Sequence, residues 1–169
     1  MTLNPSKRDG FSQADAKFLE IVEKYGWHVM TVAPRVGEDG DLWAYSTGFY
    51  YSYAHPEIIL FNLNRDTLPR IINTIGDSVK TGKRFEPGPT YADVFDAYEC
   101  SFRAVDFCHY AEYVGFSLWF YESSDFPLLQ CFWPDESHRF PWEDACADWV
   151  RKAQPLLYQP TGKARSQKG

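Results

Sequence analysis

The sequence predicts one α+β domain with a mainly antiparallel sheet, flanked by about four helices. The 169 residues are near the commonest size of a single domain, and 44% of them are hydrophobic, enough for a sizeable core. Strand-like and helix-like segments follow one another in mixed order, without the regular β-α-β alternation of a parallel sheet and without internal repeats. The sequence does not decide whether the sheet closes into a barrel-like form.

The first three elements are a helix and a hairpin. Ser12 is an N-cap candidate with Asp15 three positions later, and apolar residues at helical spacing continue up to Gly26, which ends the helix. The β-branched and apolar segment 27–33 predicts a strand, and two glycines in the polar segment after it predict a hairpin loop. Residues 42–48 are therefore the expected return strand.

The chain then passes through an aromatic corner. Residues 49–54 predict a connection, and the following His55-Pro56 pair must be extended or in a turn, because proline disfavours the α region at the residue before it. The apolar run 58–63 predicts a short buried strand. A second amphipathic helix is expected from Asp66, an N-cap candidate, to a glycine at position 82.

The second half continues with strands and helices. Residues 97–105 alternate between apolar and polar side chains, as in a half-buried strand. Apolar spacing predicts a third helix over 107–121, and residues 128–133 predict a further strand that a proline ends. A last helix is expected from about Asp144 to Gln154, with Trp149 on its apolar side.

The chain ends are polar. No secretory signal is visible in the first residues, and no run approaches the roughly 18 apolar residues of a membrane helix, so we expect a cytoplasmic protein outside the membrane. Three regions are expected: a flexible leader at 1–11, a single α+β domain at 12–158 and a basic flexible tail at 159–169.

Acidic and aromatic residues are concentrated in one stretch. The chain has a net charge of −6, and residues 86–148 hold thirteen acidic, two basic and sixteen aromatic residues. Such an acidic surface repels phosphate backbones, so nucleic-acid binding is not expected. Aromatic anchors within a charged rim are typical of protein interfaces, so the stretch favours a basic protein partner. Solubility alone is the alternative explanation of this charge.

Sequence motifs of catalysis are not found. There is no G-x-S-x-G elbow and no H-x-x-x-H pair, and the glycines of segment 76–84 are too far apart for a phosphate-binding loop. No catalytic residue is assigned, and a protein without enzymatic activity is favoured. Four cysteines lack the spacing of zinc or redox motifs and are predicted to be buried, unreactive thiols: Cys100, Cys108, Cys131 and Cys146.

Two segments hold the candidate binding residues. One strand ends at Gly48, where glycine permits a ligand or a second backbone to approach closely. In the other segment, tryptophans offer large faces whose indole N–H groups need partners if they are buried. Core packing and hydrogen bonds to the local backbone are the alternative roles. The candidates are Tyr45, Gly48, His55, Glu57, Gln130, Trp133, Asp135 and Trp142.

Several short motifs occur together between about residues 18 and 143. They are Gly26-Trp27-His28-Val29, Tyr45-Ser46-Thr47-Gly48-Phe49, His55-Pro56-Glu57, Leu129-Gln130 with Trp133-Pro134-Asp135, and Arg139-Phe140-Pro141-Trp142. In this order they resemble the bacterial domain-of-unknown-function family 4262. The chain departs mildly from the family pattern, with Phe49 in place of leucine and Ser46 in place of threonine. The resemblance implies a fold and carries no established activity.

Three functions stay open, and the first is favoured. It is a non-enzymatic binding protein of the inhibitor or immunity type, with a basic protein partner. The second is a flavin- or nucleotide-binding protein, since the corner at 45–57 is similar to flavin-binding split barrels. The third is a hydrolase or metal-dependent enzyme. The second would use the cations Arg70, Lys80, Lys83 and Arg84, and the third His55, Glu57, Asp135 and His138. No cofactor and no oligomeric state are predicted.

Overall fold

A computed structural model of the chain describes residues 12–160, which form six strands and six α-helices. The predicted leader at 1–11 and most of the predicted tail lie outside the described residues. The strands are β1 (His28–Val32), β2 (Trp43–Thr47), β3 (Glu57–Phe61), β4 (Thr90–Tyr91), β5 (Cys100–Ala104) and β6 (Leu128–Phe132). The helices are α1 (Gln13–Tyr25), α2 (Phe49–Tyr53), α3 (Thr67–Lys80), α4 (Tyr110–Tyr113), α5 (Gly115–Tyr121) and α6 (Asp148–Ala153).

The strands form one sheet in the order β1-β2-β3-β6-β5-β4. The pairing of β3 with β6 is parallel, and the other four pairings are antiparallel. The predicted α+β class and the mainly antiparallel sheet are therefore confirmed. The sheet is open, with β1 and β4 at its edges, so it does not close into a barrel.

Helices cover both faces of the sheet. Helix α3 packs on one face against β1, β2 and β3, while α1 and α5 pack on the other. Along β3, Ile58 and Leu60 join the core under α3, whereas Ile59 and Phe61 join the core under α1 and α5. A strand that is buried on both faces needs apolar residues at every position, which explains the continuous apolar run in the sequence.

The helix ends show how far local patterns determine structure. The predicted capping box of α1 is formed, with the Ser12 hydroxyl accepting the Asp15 N–H and the Asp15 carboxylate accepting the Ser12 N–H. Asp66 stands at the N-cap of α3, but its side chain makes no capping bond. The carboxamide oxygen of Asn64 accepts the N–H of Thr67 at 2.8 Å instead.

Some predicted boundaries were wrong. The expected connection at 49–54 contains helix α2, which ends at Ala54 in a left-handed conformation. The expected third helix is interrupted at the fully buried Val114, whose φ of −128° and ψ of 46° are not helical. The last helix begins at Asp148 rather than near residue 144, and strand β4 was not predicted. Within residues 12–160, no helix has both the length and the apolar surface needed to span a bilayer.

Candidate functional site

Glu57, at the start of β3, lies fully buried beside the N-terminus of α2. Its carboxylate accepts four hydrogen bonds. They come from the Ser46 hydroxyl (2.5 Å), the Gly48 N–H (2.8 Å), the Tyr50 N–H (3.1 Å) and the Tyr121 hydroxyl (2.5 Å). No cationic side chain in the described part of the chain pairs with it. We call this cluster the Glu57 corner.

The hydroxyl protons of the Glu57 corner have defined directions. The Ser46 oxygen accepts the N–H of Ile58 at 2.9 Å, and the Tyr121 oxygen accepts the N–H of Tyr51 at 3.1 Å. Each hydroxyl is then left to donate its single proton to Glu57. Burial raises the pKa of Glu57, while the four donated hydrogen bonds lower it. Burial is the larger effect, so the pKa of Glu57 lies above its usual value, and the four donors give this buried carboxyl group its hydrogen bonds.

Gly48 brings a second backbone against this corner. Its φ is +124°, and a Cβ added there would lie 2.5 Å from the carbonyl oxygen of Gly26 and 2.8 Å from the Cα of Trp27. The sequence left open whether a ligand or a second backbone approaches this glycine. In the structure, the segment at Gly26 and Trp27 takes the position.

His55 is fully buried next to the Glu57 corner. Its Nδ1 lies 2.8 Å from the carbonyl oxygen of Pro56, which can only accept a hydrogen bond. Its Nε2 lies 3.0 Å from the N–H of Phe85, which can only donate one. These partners define a neutral imidazole protonated at Nδ1, and burial lowers the pKa of His55. Both ring nitrogens are occupied, so His55 has no nitrogen left for proton transfer to a ligand.

Asp135 organises the loop after β6. Its carboxylate accepts the backbone N–H groups of Ser137 (2.9 Å), Arg139 (3.0 Å) and Ala147 (2.8 Å). The hydrogen bonds from Arg139 and Ala147 hold the pKa of Asp135 below its usual value. The bond to Ala147, the N-cap residue of α6, links Asp135 to the start of the last helix.

Gln130 ties the C-terminal segment to the sheet. Its carboxamide nitrogen donates to the carbonyl oxygen of Pro155 at 2.7 Å, and its carboxamide oxygen accepts the N–H of Leu157 at 3.1 Å. Gln154 makes a similar pair of bonds with the backbone of Trp133. A buried glutamine with both ends bonded is fully satisfied, so Gln130 acts as a structural link.

Two further candidates are also held within the chain. The buried Tyr45 hydroxyl accepts the N–H of Phe116 at 3.1 Å, and burial raises the pKa of Tyr45 to about 12. Trp142 stacks on Phe140, and the Arg103 guanidinium lies 4.0 Å from the centroid of its ring. Both side chains are engaged in contacts within the chain.

The structure does not assemble the side chains of the metal-dependent alternative. His55 and Glu57 are held as described above, while Asp135 and His138 belong to the loop after β6. Over residues 12–160, no three His, Cys, Asp or Glu side chains are grouped so that they would hold a metal ion.

An open groove lies beside α3. At its apolar end is a cavity of about 270 Å³, which we call the tryptophan pocket. Trp133 and Trp149 are 6% and 61% exposed, and Tyr98 is 37% exposed. The residues that line the pocket are Leu63, Phe95, Tyr98, Trp133, Pro134, Glu136 and Trp149.

Contacts between the rings fix the shape of the tryptophan pocket. The Trp133 indole donates its N–H to the carbonyl oxygen of Phe61 at 2.9 Å, which fixes the ring as a floor. The ring of Trp149 lies 5.9 Å away at 40° to it, and Tyr98 packs against His138 at 5.1 Å. Rigid aromatic faces at an open cavity are suited to binding.

The groove continues along α3 as a second cavity of about 540 Å³, which we call the polar end. It shares Phe95 and Tyr98 with the tryptophan pocket and is lined further by Arg70, Asp93 and Asp96. Of the four cations considered in the sequence, Arg70 is therefore in the groove. Lys83 pairs with Asp93, Arg84 donates to the carbonyl oxygen of Ala54, and Lys80 is exposed on α3.

Three of the four cysteines are buried as expected, namely Cys100, Cys131 and Cys146, and all four are free. The prediction was wrong for Cys108, which is exposed. It lies in a short 3-10 turn (Phe107–His109) whose N-cap is Asp106, and this turn is at the surface. Burial raises the pKa of the Cys131 and Cys146 thiols, in keeping with unreactive side chains.

Sequence reasoning found Trp133 and missed the other aromatic walls of the groove. Phe95 and Tyr98 come from the loop between β4 and β5, and Trp149 comes from α6. The sequence places Trp149 on the apolar side of the last helix, but the neighbouring Val150 is the residue buried there. No spacing signal separates Trp149 from Val150, since neighbouring residues of one helix can both be buried in one core, as Ile71 and Ile72 of α3 are.

Comparison with known families finds a match to most of the chain. The family described as "Domain of unknown function (DUF4262)" matches residues 21–147, more than half of the chain. The matched range includes the Glu57 corner and Trp133 and ends two residues before Trp149. No curated protein and no solved structure shows significant similarity to the chain. The chain therefore belongs to the DUF4262 family.

Proposed function

We propose that this DUF4262 protein is a non-enzymatic binding protein that receives a basic segment of a partner protein in the groove beside α3. The observation that carries the proposal is the tryptophan pocket, an open cavity lined by four aromatic rings. Trp149 is largely exposed at this cavity, although tryptophan is the side chain that gains most from burial. Concave aromatic surfaces of this kind supply the anchor positions of protein interfaces.

Charge supports a basic partner. Glu136 lines the tryptophan pocket and Asp96 lines the polar end, where Asp93 is already paired with Lys83 and Arg70 also lies. Two further exposed carboxylates are sequence neighbours of groove residues: Glu99 follows Tyr98, and Asp148 precedes Trp149. Complementary charge speeds association and fixes orientation more than it adds affinity. A basic segment is therefore attracted first by charge and then held by the aromatic rings.

The polar motifs of the sequence support binding rather than catalysis. Glu57, His55 and Asp135 already use their side-chain atoms for bonds within the chain. For the flavin alternative, the backbone at Gly26 occupies the space in front of Gly48 that a ligand would need. The four unpaired cysteines favour a reducing compartment, so we expect the protein to act in the cytoplasm.

Peptide display on the immobilised full chain tests this proposal. Random peptides selected at low salt are expected to be enriched in lysine or arginine next to apolar residues. Their binding should weaken at least tenfold in Trp149→Ala and should fall as salt is raised. The matched control is Phe107→Ala, which removes another exposed ring (68%) from a 3-10 turn that lines neither part of the groove, and it should bind normally.

Two results would overturn the proposal. One is the absence of any enriched peptide, and the other is peptide binding that Trp149→Ala leaves unchanged. An inhibitor or immunity role applies if the natural partner is an enzyme or toxin whose activity falls when it is bound.

A further inference from the structure

We infer that the tryptophan pocket is a cation pocket that takes one lysine or arginine side chain of the partner protein. This inference rests on the proposed function and names the chemical group that the groove recognises. It follows from the lining of the pocket and from two places where the chain binds its own cations.

The lining combines aromatic faces with one carboxylate. Four of the seven lining residues are aromatic, one is Glu136, and none is a lysine or arginine. The faces of tryptophan and tyrosine rings attract cations through their negative π surface. Among residues 12–160, Glu136 has no hydrogen-bond or ion-pair partner, so no side chain in this range neutralises its negative charge. A ligand cation would meet both attractions at once.

Elsewhere, the chain places one of its own cations between aromatic rings and a carboxylate. The Lys83 ammonium lies 5.1 Å from the ring centroid of Phe85 and 5.5 Å from that of Tyr91, and it pairs with Asp93. That site has aromatic faces, a carboxylate and a cation. The tryptophan pocket has the aromatic faces and the carboxylate, and the cation is the component that an incoming side chain would provide.

A second internal site shows the guanidinium form of this contact. The Arg103 guanidinium lies 4.0 Å from the ring centroid of Trp142 and 4.9 Å from that of Tyr158. Both alkylammonium and guanidinium groups therefore fit aromatic faces of this chain. A cavity of about 270 Å³ has room for one long basic side chain. Leu63 and Pro134 offer apolar surface for its methylene stem, while the charged head stays near Glu136.

The direct test uses three small probes with the same butyl stem: n-butylammonium, n-butylguanidinium and 1-butanol. The indole N–H resonances of the tryptophans are followed by ¹H–¹⁵N NMR, and Trp149→Phe assigns the resonance of Trp149. Both cations are expected to shift the Trp133 and Trp149 resonances in a saturable manner. The alcohol, which has the same stem without charge, should bind at least tenfold more weakly.

The charge of Glu136 is tested separately. Glu136→Gln keeps the size of the side chain and should weaken cation binding several-fold while leaving the alcohol unchanged. The matched control is Glu20→Gln on the exposed face of α1, which should not change the binding of any probe. Equal binding of cation and alcohol, or an unchanged Glu136→Gln variant, would overturn the cation pocket.

A peptide pair distinguishes this inference from the proposed function. A displayed peptide with one lysine is compared with the same peptide carrying norleucine, and the lysine form should bind at least tenfold more tightly. If norleucine binds equally and Trp149→Ala still abolishes binding, the proposed function survives and the cation pocket is wrong. If butylammonium binds and the lysine peptide does not, the pocket serves free amines, and the inference is overturned.

Discussion

The Glu57 corner and the tryptophan pocket are each built from aromatic rings around a carboxylate, and they differ in what satisfies that carboxylate. Glu57 is fully buried and accepts four hydrogen bonds from its own chain. Glu136 is exposed at an open cavity and has no such partner in the part of the chain that the structure describes. A carboxylate that the fold has satisfied stabilises structure, whereas an unsatisfied one beside aromatic faces is available to a ligand.

The same contrast holds for the tryptophans. Trp133 has a structural role and a binding role, since its N–H donates to a strand of the sheet while its ring forms the floor of the pocket. Trp149 has most of its surface in solvent, so its removal exposes little new apolar area. We therefore expect substitutions in the corner to act on stability and substitutions in the pocket to act on binding.

Glu57→Ala is expected to have the largest effect. It leaves two backbone N–H groups and two hydroxyl groups buried without an acceptor, and each unsatisfied donor costs about 1–3 kcal/mol. The free energy of unfolding in urea should fall by at least about 3 kcal/mol. Glu136→Gln, as the pocket counterpart, should change it by less than about 0.5 kcal/mol. Equal effects of the two variants would contradict the distinction between the sites.

A pair of glycine variants tests the packing of the corner. Gly48→Ala places a Cβ 2.5 Å from a backbone oxygen at a φ of +124°. We expect it to lower the free energy of unfolding by about 2–3 kcal/mol, through overpacking and strain together. Gly37→Ala also has a positive φ, but its Cβ meets nothing within 4 Å. Its cost should be about 1 kcal/mol, and similar losses in both variants would show that close packing at Gly48 is unimportant.

The neutral form of His55 predicts a pH dependence. Burial lowers its pKa in the folded state, and protonation of Nε2 would break the bond from the Phe85 N–H. The stability due to this lowered pKa is present above the unfolded value of 6.5 and is lost as pH falls through the folded value. Urea unfolding at pH 7.5 and pH 5.5 should show lower stability at pH 5.5. His55→Gln should flatten this slope, and a slope unchanged by the substitution would assign it to other groups.

Trp149→Ala should have a small effect on stability and a large effect on binding. Because its ring is mostly exposed, the free energy of unfolding should change by less than about 1 kcal/mol. Peptide affinity, measured by titration, should fall at least tenfold, equivalent to about 1.4 kcal/mol. A large loss of stability with little loss of affinity would reassign Trp149 from the pocket to the core.

Local patterns predicted the fold well where neighbouring residues decide the outcome. The capping box at Ser12 and the apolar run of β3 depend on positions a few residues apart. The strand β5 was also predicted, but its expected alternation was wrong, because Ser101 is buried and Ala104 is exposed. The break at Val114 was not predictable in this way, because apolar spacing continues across it. The N-cap residue of α6, Ala147, is bonded to Asp135, which is twelve residues away along the chain.

The candidate site likewise combines residues that are close in sequence with residues from distant segments. Residues 45–57 are conspicuous in sequence, and the structure joins Gly48 and Glu57 in one cluster. The partner that completes this cluster is Tyr121, which is 64 residues from Glu57. The pocket walls come from the loop before β5, from the residues after β6 and from α6. No spacing rule connects such distant segments.

The sequence by itself determined the α+β class, most helices and strands, the acidic and aromatic character of residues 86–148 and the family. These depend on composition and on short-range periodicity, and both follow directly from the order of the residues. Only the tertiary structure decided which carboxylate is satisfied internally and which faces an open groove. A buried polar group is satisfied by donors that the packing of the sheet and helices brings within hydrogen-bond distance. These donors can be far apart along the chain, so the order of the residues does not reveal them.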